Sequence, residues 1–422
     1  MALCQEEMTL QKAIALGLEN NYGIKIADTN IEIAENNNTW ARAGSAVTLD
    51  LNGSFNHSLI NNKNPASFIR GSFYSGSLGA SLDAQWIVLN GGRFKLNKAQ
   101  LNIAVDQQIL DKETGIQDLL RTVYQQYYEI IFQQERLIVL QENLDLSVKK
   151  LDFEQTKKSF GASNSYNLLQ FENAIISDSI NYINQEQLIE VSKRNLYTTL
   201  NIIGFADYTY NERLSVTDET INEKELKSIL SERNLTLKSL QMLSDVNSLN
   251  TQLEKRGRRP TLSLSGSLGL TENGFKILNP DPGTDGSLRL GNQIAFNLGA
   301  NFNWNLIDGG NIKTNVQNAK LQEEINKMSI LEAKAQLDNQ LDILIANYNN
   351  QKLIIEMSDK QIKSAERNLE MTEERFKAGQ INSLDYRNVQ SQYLASAFNK
   401  VNAIYDLIIT KSEIDFLVGK FE

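Results

Sequence analysis

Where the prolines fall constrains this chain more than any other feature. Its 422 residues hold four of them, Pro65, Pro260, Pro280 and Pro282, and none lies between 83 and 259 or after 282. Proline inside a helix costs about 3 kcal/mol, because it removes a backbone donor and its ring strikes the preceding turn. Two long stretches are therefore free to form very long helices. They are rich in Leu, Gln, Glu, Lys, Ala and Ile, with Gly161 and Gly379 as the notable glycines. Glycine crowds instead into 44–92 and 257–310. The chain thus alternates a helical texture with a Gly/Ser/Asn-rich one.

The helical texture has a period of seven. Stepping by seven from Ile109 meets Ile116, Val123, Ile130, Leu137, Leu144 and Leu151. From Leu168 the same step meets Ile175, Tyr182, Ile189, Leu196 and Ile203, and from Leu341 it meets Tyr348, Ile355, Ile362, Leu369 and Phe376. A straight helix drifts by about 20° per heptad, so a strict period of seven favours left-handed supercoiling. The run from about 95 to 158 would be about 90 Å long at roughly 1.5 Å per residue.

The Gly-rich texture has a period of two. Val47, Leu49, Leu51 and Phe55 alternate with polar residues, as do Leu78, Ala80, Leu82, Ala84 and Trp86. Leu262, Leu264, Leu268 and Leu270 repeat the pattern, and so do Phe296, Leu298, Ala300, Phe302 and Trp304. Strands with one apolar and one polar face are expected, near 46–58, 72–89, 260–271 and 292–307. Their length of about 9–11 residues suits a membrane strand, and a soluble sandwich gives the same alternation.

Composition excludes other classes. One Cys excludes an intrachain disulfide framework or a Cys-rich metal site, and one His argues against His-rich metal sites and a Ser-His-Asp triad. The net charge of −9 does not suggest the basic stripe of a nucleic-acid binder. A hydrophobic share of 41% is low for one compact core. Gly71, Gly76 and Gly79 do not make a phosphate loop, and Val418-Gly419-Lys420 reads as a helix end. No catalytic residue, cofactor site or metal ligand is expected. No window approaches the roughly 18 apolar residues of a spanning helix, which leaves a β-barrel open. The segment 1–8 reads as the remainder of a leader or a flexible start. Cys4 invites a lipid-anchor reading, although Leu3 is bulkier than the residue that usually precedes a lipidated cysteine.

The two halves match each other. Thr48-Leu49-Asp50-Leu51-Asn52-Gly53-Ser54-Phe55 parallels Thr261-Leu262-Ser263-Leu264-Ser265-Gly266-Ser267-Leu268, and Glu19-Asn20-Asn21 parallels Glu232-Arg233-Asn234. Trp86-Ile87-Val88-Leu89-Asn90-Gly91-Gly92 parallels Trp304-Asn305-Leu306-Ile307-Asp308-Gly309-Gly310, and Gly161 with Asn164 parallels Gly379 with Asn382. Repeats over 9–214 and 215–422 are expected, each running helix, strand, strand, long helix pair. Four strands cannot close a barrel, and open edges in lipid leave backbone groups unsatisfied. Two chains would supply eight strands and three would supply twelve, and only the larger barrel leaves a water channel. Trp40, Trp86 and Trp304 would all fall at one helix-facing rim, the place of interfacial tryptophans.

These residues resemble the outer-membrane efflux protein family, the TolC-like outer-membrane factors. The resemblance covers about 9–420. Its most specific element is the doubled Trp-x-x-x-Asn/Asp-Gly-Gly at 86–92 and 304–310, followed by the tip-like run from Arg375 to Asp385. Thr9-Leu10-Gln11-Lys12-Ala13 resembles the family's opening helix, with Tyr22 in place of its usual proline. The resemblance implies an α+β, mostly α fold: a trimeric outer-membrane β-barrel, four strands per chain, joined to a long periplasmic α-helical coiled-coil tunnel. It implies an exit duct of an efflux or type I secretion system, conducting passively without cofactor. Its partners would be two further copies, a periplasmic adaptor, an inner-membrane transporter and outer-membrane lipid, with no nucleic acid.

The same resemblance places adaptor contacts and an iris-like closure at Gly161, Phe376, Gly379 and Ile381. Asp385 matches a constriction acid; it forms either a ring of three acids in a trimer or a cap on the returning helix. Arg387 either pairs with Asp385 or faces solvent. Asn388 replaces a second acid, Tyr166 and Asn167 replace a Thr and an Asp of TolC itself, and Ile381 replaces an Arg. The implied gate at Asp385, Arg387, Asn388, Tyr166 and Asn167 is therefore expected to close by packing and amide hydrogen bonds rather than by salt bridges. A soluble coiled-coil scaffold is the competing reading.

Overall fold

The computed structural model describes residues 6–64, 66–69, 71–202, 204, 208–216, 219–278, 280 and 285–420. Cys4, Pro65, Ile203 and Pro282 lie outside these residues. The described residues form α1 (Leu10–Asn20), α2 (Tyr22–Asn37), β1 (Thr48–Asn62), β2 (Gly71–Asn90), α3 (Arg93–Ser159) and α4 (Ser165–Thr199). They continue with α5 (Glu223–Arg233), α6 (Leu235–Arg256), β3 (Thr261–Ile277), β4 (Arg289–Asn303), α7 (Asn311–Lys377) and α8 (Ser383–Val418). The protein is mostly helical with one small antiparallel sheet, and α3 and α7 run to 67 residues each. Among the described residues no helix is long and apolar enough to cross a membrane.

The chain forms two compact units. One spans 31–108 and 241–328 and holds the sheet, ordered β1-β2-β3-β4 with every pair antiparallel. The register aligns Leu51, Leu82, Leu268 and Phe296 across all four strands, with Leu49, Ala84, Gly266 and Leu298 in the next row. The opposite face carries Asn52, Ser81 and Gly269, then Asp50, Asp83, Ser267 and Asn297. There Asp83 Oδ2 accepts from Asn52 Nδ2 at 2.8 Å and from Ser81 Oγ at 2.7 Å. Period two in the sequence thus becomes one apolar and one hydrogen-bonding face. The apolar face is uncovered in this chain: Leu51 is 78% exposed and Leu298 76%.

The strands depart from the expected boundaries. β1, β2 and β3 reach further toward the loops, because Ser58–Asn62 pair with Gly71–Ser75 and Phe275 pairs with Arg289. A backbone ladder continues where apolar alternation has stopped. β4 ends at Asn303, paired to Thr261, so Trp304 stands just past the strand. The residue before Thr261 is Pro260, which has no N–H to extend the ladder. The indoles close the same corner twice: Trp86 Nε1 donates to Ser45 O and Trp304 Nε1 to Arg258 O, both at 3.1 Å. Ser45 accompanies Trp40, whose carbonyl accepts from the Ser45 hydroxyl at 2.8 Å.

The Asn/Asp-Gly-Gly signature is the strand-to-helix turn. Gly91 and Gly92 take φ of +66° and +83°, and Gly309 and Gly310 take +68° and +90°. Only glycine adopts that region without steric cost. The Asx side chain then caps the helix that follows. Asn90 Oδ1 accepts from Phe94 N at 3.2 Å, and Asp308 accepts from Ile312 N at 2.6 Å and Gly310 N at 3.0 Å. The Ile312 N–H holds the Asp308 carboxyl below its ordinary range. A Cβ on Gly91 would lie 2.6 Å from Arg259 Cβ, whereas one on Gly309 would meet nothing within 4 Å. Gly309→Ala is thus expected to cost only backbone strain of about 1–2 kcal/mol, and Gly91→Ala clearly more. Thermal midpoints by circular dichroism test this; equal losses would mean that a group outside this chain packs on Gly309.

The second unit spans 6–30, 109–240 and 329–420 of the described residues. Its short helices bend at two asparagines in the same backbone state, Asn21 (φ −65°, ψ 124°) and Asn234 (φ −61°, ψ 123°). Each caps the next helix, through Gly23 N at 2.7 Å and Leu237 N at 3.2 Å. Each amide also donates to the end of a long helix, at Thr199 O (3.4 Å) and Leu417 O (3.0 Å). Two apolar clusters result, one around Val123, Tyr127, Ile130 and Leu196, the other around Leu230, Leu341, Tyr348 and Ile414. The heptad stripe behaves differently toward the far end of α3. Leu137, Leu144 and Leu151 are only half-buried, and the fully buried positions are Asn143, Ser147, Lys150 and Glu154. Within one chain that seam is polar, and the apolar heptad residues sit beside it.

Candidate functional site

The two long-helix hairpins turn by one local rule. Gly161 and Gly379 both take φ of +73°. Ala162 N donates to Lys157 O at 2.8 Å and Gln380 N to Arg375 O at 2.9 Å, while the glycine N–H groups bond Lys158 O and Phe376 O. This is the Schellman closure, which needs a left-handed residue after the helix. Three residues on, Asn164 and Asn382 cap the returning helices, accepting from Asn167 N at 3.0 Å and Asp385 N at 2.8 Å. The cap on α8 is therefore Asn382. Asp385 follows in the first turn with an exposed carboxylate, where the positive helix end favours it. The alternative that Asp385 itself caps the returning helix therefore does not hold.

Below the turns lies a buried cluster of Phe171, Leu369, Phe376 and Tyr386, with Ile381 packed against it. Phe376 meets Phe171 edge-on at 5.7 Å and Tyr386 at 5.2 Å. Asn167 Oδ1 accepts from Ser383 Oγ at 3.3 Å, which ties the starts of α4 and α8 together. Tyr166 and Asn388 are exposed, as are Gly161 and Gly379. The structure thus gathers Phe376, Ile381, Asn167 and Arg387 around the hairpin ends, while Trp40, Trp86 and Trp304 belong to the sheet unit.

Arg387 does not pair with Asp385 and does not simply face solvent. Its Nη1 donates to Asp178 Oδ2 at 2.7 Å and to Ser147 Oγ at 3.0 Å, and its Nη2 donates to Asp178 Oδ1. Ser147 Oγ donates to the same carboxylate at 2.6 Å. Gln390 Nε2 donates to Asn143 Oδ1 and Ser147 Oγ, both at 2.9 Å. Asp178 is 2% exposed and Gln390 0%, so α3, α4 and α8 are joined by a largely buried, charge-assisted network. A bidentate guanidinium is the side chain that can satisfy a carboxylate so placed. Within the chain, then, the hairpins carry salt bridges of their own, Arg387 with Asp178 among them.

A second pair lies closer to the turns. Lys150, 3% exposed, donates to Glu373 at 2.6 Å and stands 5.0 Å over the Tyr386 ring. Burial pushes the Glu373 carboxyl up, but Lys150 and Lys377 outweigh it and hold it below its ordinary range. A depressed carboxylate stabilises the fold above its unfolded pKa and stops doing so as pH falls through the folded value. On the carboxylate side this pair therefore loosens only in acid, as pH falls below the ordinary glutamate range. Glu154, 1% exposed, accepts from Ser163 Oγ and pins the first turn to α3.

Asp178, Ser147, Asn143, Gln390, Lys150 and Glu373 were not among the expected site residues. A signal existed. Buried polar residues recur at heptad-like spacing, as Asn143, Ser147, Lys150 and Glu154 in α3 and as Asp178, Gln185 and Ser192 in α4.

The outer membrane efflux protein family model matches residues 13–201 and 226–420. No curated protein matches the chain. Three solved outer-membrane proteins share its fold. The Campylobacter jejuni CmeC outer membrane channel aligns with a TM-score of 0.74 at 18% identity, covering 97% of this chain and 85% of that one. The Vibrio cholerae outer membrane protein VceC gives 0.71 at 14%, covering 97% and 96%. The open state of the Neisseria gonorrhoeae MtrE outer membrane channel gives 0.72 at 16%, covering 97% and 88%. With a family match over nearly the whole length and a fold shared with solved outer-membrane channels, this chain belongs to the outer membrane efflux protein family and is an outer-membrane exit duct of efflux systems.

Proposed function

We propose that three copies of this chain join their sheets into one twelve-stranded barrel and their long helices into one periplasmic tunnel. Cargo passes through without chemical change. The observation that carries this reading is the sheet, whose edges β1 and β4 are unpaired and whose apolar face is uncovered. In lipid an open edge leaves donors and acceptors unsatisfied at several kcal/mol each, so pairing of β4 with β1 of the next copy is the available remedy. Twelve strands leave a lumen wide enough for water, lined by the Ser, Asn and Asp face. Half-buried Leu144, Leu151, Leu168 and Ile175 fit helix seams between copies. The parallel element orders of 9–214 and 215–422 fit an internal duplication, which makes six similar hairpin ends around one tunnel. A soluble scaffold would leave the apolar sheet face without a cover.

The hairpin ends at Gly161, Phe376, Gly379 and Ile381 meet a periplasmic adaptor, which couples the duct to an inner-membrane transporter. Exposed Asp385 repeats three times around the tunnel mouth as an acid ring that favours cations. The mass of the detergent-extracted protein tests the assembly: three times the chain mass supports it, and a monomer or dimer sinks it. Conductance tests the ring. Asp385→Ala is expected to lower the cation-to-anion permeability ratio, and an unchanged ratio removes Asp385 from the gate.

A further inference from the structure

We propose that Arg256 and Arg259, with Arg93, form a site for the phosphate of an anionic phospholipid headgroup where β2 turns into α3. The inference rests on the reading that the sheet spans a membrane with its helix-facing end at the interface. Arg256 ends α6, Arg259 lies two residues before β3, and Arg93 opens α3. Because β2 and β3 are neighbours, these segments converge on Gly91 and Gly92. A Cβ on exposed Gly92 would lie 3.6 Å from Arg256 Nη1 and 3.8 Å from Arg259 Nη1. Two guanidinium groups thus flank one notch that the glycine leaves open. Arg93 Nη2 is tied to Leu253 O at 3.2 Å, and its Nε is buried without a hydrogen-bond partner.

No carboxylate among the described residues pairs with the charges at this notch, where Arg259 Nη1 donates only to the Gly91 carbonyl at 3.5 Å. Among the described residues none of the three arginines makes an ion pair. Glu254, the acid nearest in sequence to Arg256 and Arg259, uses its carbonyl on Gly257 N. Arg258 differs, since its charge bears on the capping carboxylate of Asp308. Guanidinium groups held close repel one another unless an anion sits between them, and the positive end of α3 adds to that field. A phosphate offers the planar, multiple acceptors that guanidinium forks match.

The position selects the source of the phosphate. Trp86 lies near the end of β2, and Trp304 Nε1 bonds the carbonyl of Arg258, between Arg256 and Arg259 in the same segment. Tryptophan at a membrane interface sits at headgroup depth, so these arginines share that level. Basic clusters there bind anionic headgroups. The other turn, Gly309–Gly310, has nothing within 4 Å of either notional Cβ in this chain, so the site is a feature of one junction and not of the repeat.

Native mass spectrometry of the detergent-purified oligomer, titrated with dioctanoyl phosphatidylglycerol, tests the site. Dioctanoyl phosphatidylcholine and inorganic phosphate serve as comparisons. We expect one phosphatidylglycerol per chain, bound more tightly than either comparison. Arg256→Gln/Arg259→Gln should weaken it by about tenfold or more, and Arg42→Gln should not. Equal binding by the double variant and the unsubstituted protein would overturn the proposal. Inorganic phosphate displacing the lipid at equal concentration would assign the notch to a soluble anion and overturn the lipid source. Should the double variant not assemble, Arg256→Lys/Arg259→Lys keeps the charge and loses the forks. Weaker binding there supports the site, and unchanged binding overturns it. An unsubstituted protein that is not extracted from membranes as an oligomer would defeat the membrane reading instead, a distinguishable failure.

Discussion

Leu82→Arg is expected to abolish assembly of the duct in the outer membrane, while Ser81→Arg, one residue away, leaves it assembled. Leu82 is centred between Leu78 and Trp86 in β2, in the apolar row with Leu51, Leu268 and Phe296. Arginine on a lipid-facing strand near the midplane costs about 2–4 kcal/mol. In the proposed trimer three copies multiply this to roughly 6–12 kcal/mol, comparable to the whole stability of many proteins. Ser81 points to the other face, beside Asn52 and near Asp83, where water and a carboxylate receive a guanidinium. The measurement is the amount of heat-modifiable oligomer in outer-membrane fractions. Assembly of Leu82→Arg together with loss of Ser81→Arg would reverse the faces, and with them the lumen.

Asp178→Ala should loosen the hairpin ends more than any other single truncation near them. It leaves the Arg387 guanidinium without its bidentate partner and takes one acceptor from Ser147. Breaking a buried pair by removing one partner costs about 3–5 kcal/mol, because the remaining charge stays desolvated. The Arg387 side chain is 26% exposed, which places the loss at the lower end of that range. Amide exchange in the first turns of α8 should accelerate about a hundredfold, the equivalent of roughly 3 kcal/mol. Replacing both partners at once, as Asp178→Leu/Arg387→Met, should recover most of the protection, since an apolar pair of similar volume leaves no orphaned charge. Unchanged exchange in Asp178→Ala would show that aromatic packing around Phe376 holds the ends by itself.

Much of the fold was legible because its signals are local. Absence of proline permits α3 and α7, period two writes the faces of the sheet, and the Asx-Gly-Gly runs encode a turn whose cap and left-handed glycines are adjacent in sequence. Gly161 with Asn164 and Gly379 with Asn382 are local in the same sense, each combining a helix stop with the next helix start. Strand ends were less legible, since a backbone ladder extends past the last alternating side chain and stops where Pro260 withdraws a donor.

The sequence by itself determined the element types, the two-faced sheet, the doubled hairpin and the family, since each is set by neighbours a few residues apart or by a repeated pattern. Only the tertiary structure decided what the polar residues inside the helices do. Asp178 and Arg387 meet across 209 residues, Lys150 and Glu373 across 223, and Arg93 meets α6 at Leu253 across 160. A single charged residue in a helix carries no mark of its partner, because pairing depends on which helix packs beside it and on their relative rotation. That is why neither reading of Arg387, a nearby pair with Asp385 or exposure to solvent, matches the distant pair it makes with Asp178. Asp385 lies in the exposed first turn of α8, and the half-buried Arg387 reaches across to the one buried carboxylate of α4 that needed a counter-ion.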